Sequence, residues 1–220
     1  MITSGNAGGL EYDLSVPDRL EEGATVAVLL HGRGSHKGDL QALGPVLPDA
    51  WGLVTPQGPH AGEEWNYGPG WAWYRYVEED RIVPETLHTS LEALDDFLGE
   101  LAEVLGFEPG RIVLGGFSQG GTVSMAYSLS RPGVVAAALN FSGFLAASVD
   151  LPDEVSAAAA SPIFWGHGVQ DPNIPFHLAE KGRARLTAAG VRFVARDYGI
   201  GHWMLPDEVR DAVAMVEESV

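Results

Sequence analysis

The 220-residue chain has no cysteine and almost no lysine, Lys37 and Lys181 being its only two. Without cysteine there is no disulfide, no thiolate metal ligand and no cysteine nucleophile. Thirteen basic residues face thirty acids, for a net charge of −17. So negative a chain repels nucleic acid and anionic membranes, which excludes both as partners. No apolar run approaches the length of a membrane span, so no membrane insertion is expected. The first residues, Met1 to Gly9, are small and polar and lack the apolar core of a secretion signal. A flexible N-terminus over residues 1–10 and a cytoplasmic location are therefore expected. No histidines and carboxylates stand at metal-ligand spacing, so no metal is predicted. The oligomeric state is open, a homodimer included.

What the chain does contain is alternation of short β-like runs with helical patterns across a single domain, residues 1–220. Tyr12 to Val16 alternates like an edge strand. Thr25 to Leu30 is continuously apolar, the mark of a strand buried on both faces. Gly52 to Thr55, Ile112 to Phe117, Val135 to Phe141, Pro162 to Trp165 and Val191 to Asp197 bring the set to about seven. Between them, Leu87, Leu91, Leu94, Leu98, Leu101 and Leu105 form one helical stripe, with Gly106 as its C-terminal cap. Thr122 to Leu129, Pro175 to Ala189 and Pro206 to Val216 read as further helices. Apart from the alanine run at 157–160 there is no low-complexity tract. This order predicts an α/β fold: a mostly parallel central sheet flanked by helices on both faces, with its site at the carboxyl ends of the strands.

The residues just past those strand ends are the ones that carry chemistry. Gly116-Phe117-Ser118-Gln119-Gly120 lies between a strand and a helix. There a sharp turn presents a serine, and glycines two positions to either side avoid a clash. His167-Gly168-Val169-Gln170-Asp171 follows a later strand, and Gly199-Ile200-Gly201-His202 follows the last. Serine, acid and histidine thus occur in the chain order of the α/β-hydrolases. Ser118 is the candidate nucleophile, His202 the base and Asp171 the group that orients the ring. Asp150 and Asp153 lie in a polar loop and Asp197 within a strand, which makes them weaker candidates for the acid. His31-Gly32-Arg33-Gly34 follows the first buried strand. Backbone N–H groups of Arg33 and Gln119 are the candidate oxyanion donors. The Arg33 side chain is expected to pair with an acid such as Asp39, with contact to substrate as the alternative. His31 is expected to brace its loop and His167 the loop before the acid.

Leu30 to Gly34, Gly115 to Gly121, Phe141-Ser142-Gly143, His167 to Pro175 and Gly201-His202 together resemble the phospholipase/carboxylesterase family of serine hydrolases, over about residue 24 to the C-terminus. The resemblance implies an α/β-hydrolase fold with few insertions, no cofactor, and hydrolysis of carboxylic esters or thioesters. It also implies the roles of Ser118, Asp171, His202, Arg33 and Gln119 given above. Acyl-thioesterase or lysophospholipase activity is the alternative. A non-catalytic binding scaffold is more distant, because no triad member is missing.

Six aromatics crowd the twelve residues from Trp65 to Tyr76. In the resembled family a Trp followed by Tyr or Phe, here Trp73-Tyr74, lies beside the active site and walls the acyl pocket. Tyr67, Trp71, Trp73 and, past the base, Met204 are therefore candidate substrate-binding residues. Roofing of the core is the competing role, since aromatics dominate burial wherever they lie.

Overall fold

The computed structural model describes residues 2–17, 20, 22–153 and 160–219. Most of the alanine run at 157–160 thus lies outside the described residues. An eight-stranded sheet runs through the centre in the order β1-β2-β4-β3-β9-β10-β11-β12. Its main strands are β1 (Ile2–Ala7), β2 (Leu10–Ser15), β3 (Thr25–Leu30), β4 (Gly52–Pro56), β9 (Arg111–Phe117), β10 (Ala137–Phe141), β11 (Ile163–Gly168) and β12 (Phe193–Tyr198). From β4 to β12 every pairing is parallel, while β1 and β2 join antiparallel at one edge. Two short ribbons, β5 (His60–Ala61) with β6 (Trp71–Ala72) and β7 (Tyr76–Glu78) with β8 (Arg81–Ile82), lie outside the sheet.

The expected flexible N-terminus is instead strand β1, so the sheet has eight strands rather than seven, and Tyr12 lies in the second strand instead of the edge one. The reason is local. Gly8 and Gly9 both take positive φ, 52° and 78°, and close a two-residue hairpin in which Ala7 faces Leu10. Both flanking side chains are buried, so the hairpin is anchored in the core.

Side chains on β3 alternate between two cores. Val26, Val28 and Leu30 join the larger one, while Ala27 and Leu29 join the smaller. The larger core is covered by α1 (Pro84–Gly99), α2 (Leu101–Leu105), α3 (Gln119–Ser130) and α4 (Phe176–Ala188); the smaller one is covered by α5 (Pro206–Glu218) and a 3₁₀ helix at Asp39–Val46. The leucine stripe is genuine, since Leu87, Leu91, Leu94, Leu98 and Leu101 are all buried. It is not one helix, however. Gly99 weakens it, and Glu100 leaves helical geometry to accept the Gly8 N–H at 2.7 Å. Gly106 caps α2 at φ 78°, as the sequence implies. Among the described residues no helix is long and apolar enough to cross a membrane.

Candidate active site

Strand β9 delivers Ser118 and α3 departs immediately after it. Ser118 sits at φ 55°, ψ −112°, a strained conformation for a residue with a Cβ. Its N–H donates to Phe141 O at 2.8 Å, which ties the turn to the end of β10. The glycines around it answer to close packing. A Cβ on Gly120 would stand 1.9 Å from Leu30 O, and one on Gly116 would be 2.5 Å from the same atom. The Phe141-Ser142-Gly143 motif lies directly behind. A Cβ on Gly143 would meet the Ser118 carbonyl oxygen at 2.8 Å.

His202 comes from the loop after β12. Its Nε2 lies 3.0 Å from Ser118 Oγ and its Nδ1 2.6 Å from Asp171 Oδ2. Since a carboxylate only accepts, Nδ1 carries the proton and Nε2 is left to accept from the serine hydroxyl. Asp171 follows β11, and its side chain is fully buried. Its other oxygen, Oδ1, accepts the N–H groups of Asn173 at 2.8 Å and Ile174 at 2.9 Å. Burial alone would raise this carboxyl, but the His202 ring and the two backbone donors outweigh it and hold it below its ordinary range. The structure thus brings all three residues together, from loops 31 to 84 positions apart in sequence.

Gln119 opens α3, so its N–H has no acceptor within the helix and is free to meet charge at this end. Arg33 lines the same cleft from the loop after β3. A chain of buried hydrogen bonds links these two loops. Gln119 Oε1 accepts Trp73 N–H at 3.0 Å, and Gln119 Nε2 donates to Tyr74 O at 2.9 Å. Trp73 Nε1 then donates to His31 O at 3.0 Å. His31 braces its loop as expected, with Nδ1 2.7 Å from Gly32 O and Nε2 accepting Gly58 N–H at 3.0 Å. Burial lowers the His31 pKa to about 4, so the ring stays neutral in that tautomer. His167 likewise bonds Ile174 O through Nε2 at 2.9 Å, holding the loop that carries Asp171.

The cleft in front of Ser118 has a volume of about 420 Å³. Its apolar walls are Tyr74, Tyr76, Phe117, Phe144 and Ile174. None of the four residues expected to bind substrate is among those lining it. Trp73 is fully buried behind Gln119, and Met204 packs against the smaller core. Trp71 pairs with Ser35 through the backbone, and Tyr67 lies beneath the Arg33 guanidinium, 5.0 Å from its carbon. The aromatic segment does approach the site, but through Tyr74 and Tyr76. The sequence carries no periodicity that would show which of its rings face inward. Phe144 directly follows the Phe141-Ser142-Gly143 motif and Ile174 lies within the His167 to Pro175 motif, but neither carries a signal that marks it as a cleft wall. Arg33 also departs from expectation: among the described residues it has no carboxylate partner, and Asp39 instead accepts from Ser35 Oγ at 2.7 Å.

A parallel sheet bearing a serine on its strand-to-helix turn, with a histidine and a buried carboxylate in line, defines an α/β-hydrolase. Known proteins agree. Acyl-protein thioesterase 1 of Saccharomyces cerevisiae is 25% identical over 223 residues, spanning 94% of this chain and 98% of that one. The protein of the same name from Cryptococcus neoformans is 28% identical over 227 residues, spanning 90% and 92%. Among solved structures, the Mesorhizobium loti carboxylesterase superposes with a TM-score of 0.80 at 19% identity, covering 97% of this chain and 98% of its own. Esterase PE8 superposes at 0.76 with 26% identity, covering 100% and 99%. Residues 14–219 match the phospholipase/carboxylesterase family, and the chain belongs to it. It is a serine hydrolase of esters or thioesters.

Proposed function

We propose that the protein is a carboxylesterase for short- to medium-chain acyl esters, acting through an acyl-enzyme on Ser118. The observation that carries this reading is the continuous hydrogen-bonded line from Ser118 Oγ through His202 to Asp171, with spacings of 3.0 and 2.6 Å. His202 Nε2 takes the hydroxyl proton as Oγ attacks the ester carbonyl carbon. The carbonyl π electrons move to oxygen, where the Gln119 and Arg33 N–H groups meet the developing charge. Each such donor contributes about 3 kcal/mol to transition-state stabilisation. As the tetrahedral adduct collapses, the C–O bond to the alcohol breaks and His202 returns its proton to the leaving oxygen. Water then attacks the acyl-enzyme, giving its proton to the same nitrogen, and the acid leaves as Ser118 recovers its hydrogen. Asp171 stays ionised throughout and stabilises the imidazolium.

The cleft supports the chain-length reading, because a volume of about 420 Å³ walled by Tyr74, Tyr76, Phe117, Phe144 and Ile174 offers apolar contact to a short or medium acyl chain. A panel of 4-nitrophenyl esters from two to twelve carbons tests it, and activity confined to the longest chains would reject it. Ser118→Ala should reduce kcat by about 10⁶-fold. Wild-type turnover by that variant would end the assignment of the nucleophile.

The names of the yeast relatives favour a second reading, hydrolysis of acyl thioesters by the same residues. Specificity constants for matched oxygen and sulfur esters, together with a lysophospholipid, separate the two. The non-catalytic scaffold is disfavoured by a base, acid and serine already in hydrogen-bond contact. A fluorophosphonate probe that failed to label Ser118 would revive it.

A further inference from the structure

Tyr67 and the Arg33 side chain have no part in the chemistry above, yet they are built together. The Arg33 guanidinium carbon stands 5.0 Å from the Tyr67 ring centroid. Tyr67 is itself fixed: its hydroxyl accepts Tyr76 N–H at 2.8 Å, its N–H donates to Gly62 O at 2.9 Å, and its ring meets Trp65 edge-on at 5.8 Å. Gly34, next to Arg33, packs so closely that a Cβ there would lie 2.4 Å from Tyr67 O. The arginine therefore rests on a braced platform beside the reacting serine.

Its charge is uncommitted. Among the described residues seven lysine and arginine side chains pair with a carboxylate. Arg33 is not one of them, in a chain where acids outnumber bases thirty to thirteen. Asp39 lines the same cleft but is held by Ser35. The guanidinium stands over the ring face, 5.0 Å from its centroid, and its planar N–H fork, unpaired with any carboxylate among the described residues, matches a carboxylate.

We propose that Arg33 is a specificity-determining residue, binding a carboxylate carried on the acyl or alcohol part of the substrate. This rests on the esterase reading of the same cleft. Asp39 opposes the anion and tunes the preference downward.

The test compares two matched pairs of esters. In the acyl arm, the 4-nitrophenyl half-ester of adipic acid is set against its methyl-capped counterpart. In the alcohol arm, butyrate esters of 4-hydroxybenzoate and of its methyl ester are compared. The readout is the anionic-to-neutral ratio of kcat/KM in each variant relative to wild type, which cancels intrinsic reactivity and any loss common to both substrates. Arg33→Gln should lower the ratio about tenfold in at least one arm, Arg33→Lys should retain part of it, and Asp39→Asn should raise it. Ratios unmoved by Arg33→Gln or Arg33→Lys in both arms, with the neutral esters still hydrolysed, overturn the proposal and leave the esterase reading intact. No turnover of any member by the wild-type protein overturns both.

Discussion

Replacing Asp171 by asparagine should be far more damaging than its near-identical shape suggests. The reason lies in the two sides of the carboxylate. Oδ1 accepts two backbone N–H groups, from Asn173 and Ile174, and Oδ2 faces His202 Nδ1 at 2.6 Å. An asparagine here has one oxygen and one NH₂ to distribute. Turning the NH₂ toward the two backbone donors would leave both without an acceptor, at about 1–3 kcal/mol each. The oxygen must therefore keep the Oδ1 place, and the NH₂ must point at His202. The ring can then meet it only as an acceptor at Nδ1, which puts the ring proton on Nε2, facing Ser118. A protonated Nε2 cannot take the hydroxyl proton. Loss of the correct tautomer in a triad lowers kcat about 10⁴-fold, equivalent to about 5 kcal/mol in the barrier. The assay is 4-nitrophenyl butyrate turnover by Asp171→Asn and Asp171→Ala side by side, with circular dichroism to confirm folding. Asparagine should be at least as impaired as alanine, because alanine leaves the tautomer free. A folded Asp171→Asn enzyme within tenfold of wild type would refute the reasoning.

Trp73→Phe removes the indole N–H that holds His31 O at 3.0 Å, together with part of a fully buried ring. The freed oxyanion loop should lower kcat about tenfold with KM within a factor of two, and affinity for a trifluoromethyl ketone should fall in parallel; a loss confined to KM would place Trp73 in substrate binding after all. Glu208, fully buried on α5, is pushed up to about 7 by desolvation, against 4.5 for a free glutamate. An acid whose folded pKa is raised favours the fold below pH 4.5, and that contribution is lost as pH rises through 7. Glu208→Gln stays neutral and can still accept the Leu205 N–H, so it should be more stable than wild type at pH 8 by up to about 3 kcal/mol, with the gap closing toward pH 5. Urea midpoints across that range measure it, and parallel pH profiles would exclude the effect.

Much of this was legible in the sequence because it is local. Continuous apolar runs mark strands buried on both faces, leucines at helical spacing mark α1 and α2, and glycines flank Ser118 because the backbone of β3 passes within van der Waals contact. Chain order at the strand ends pointed to Ser118, Asp171 and His202. The sequence could not show the hairpin at Gly8-Gly9 as ordered, because its stability comes from burial of Ala7 and Leu10 by distant residues. Nor could it tell which aromatics face the cleft. Trp73 and Tyr74 are neighbours, yet one is spent on His31 and Gln119 while the other walls the site. Likewise Arg33 stacks on Tyr67 rather than pairing with Asp39, through contacts between loops that the sheet alone brings together. Residue type and order along the chain determined which groups could do chemistry. Only packing in three dimensions decided which of them meet, because a side chain's partner is set by the elements that surround it and not by its neighbours in sequence.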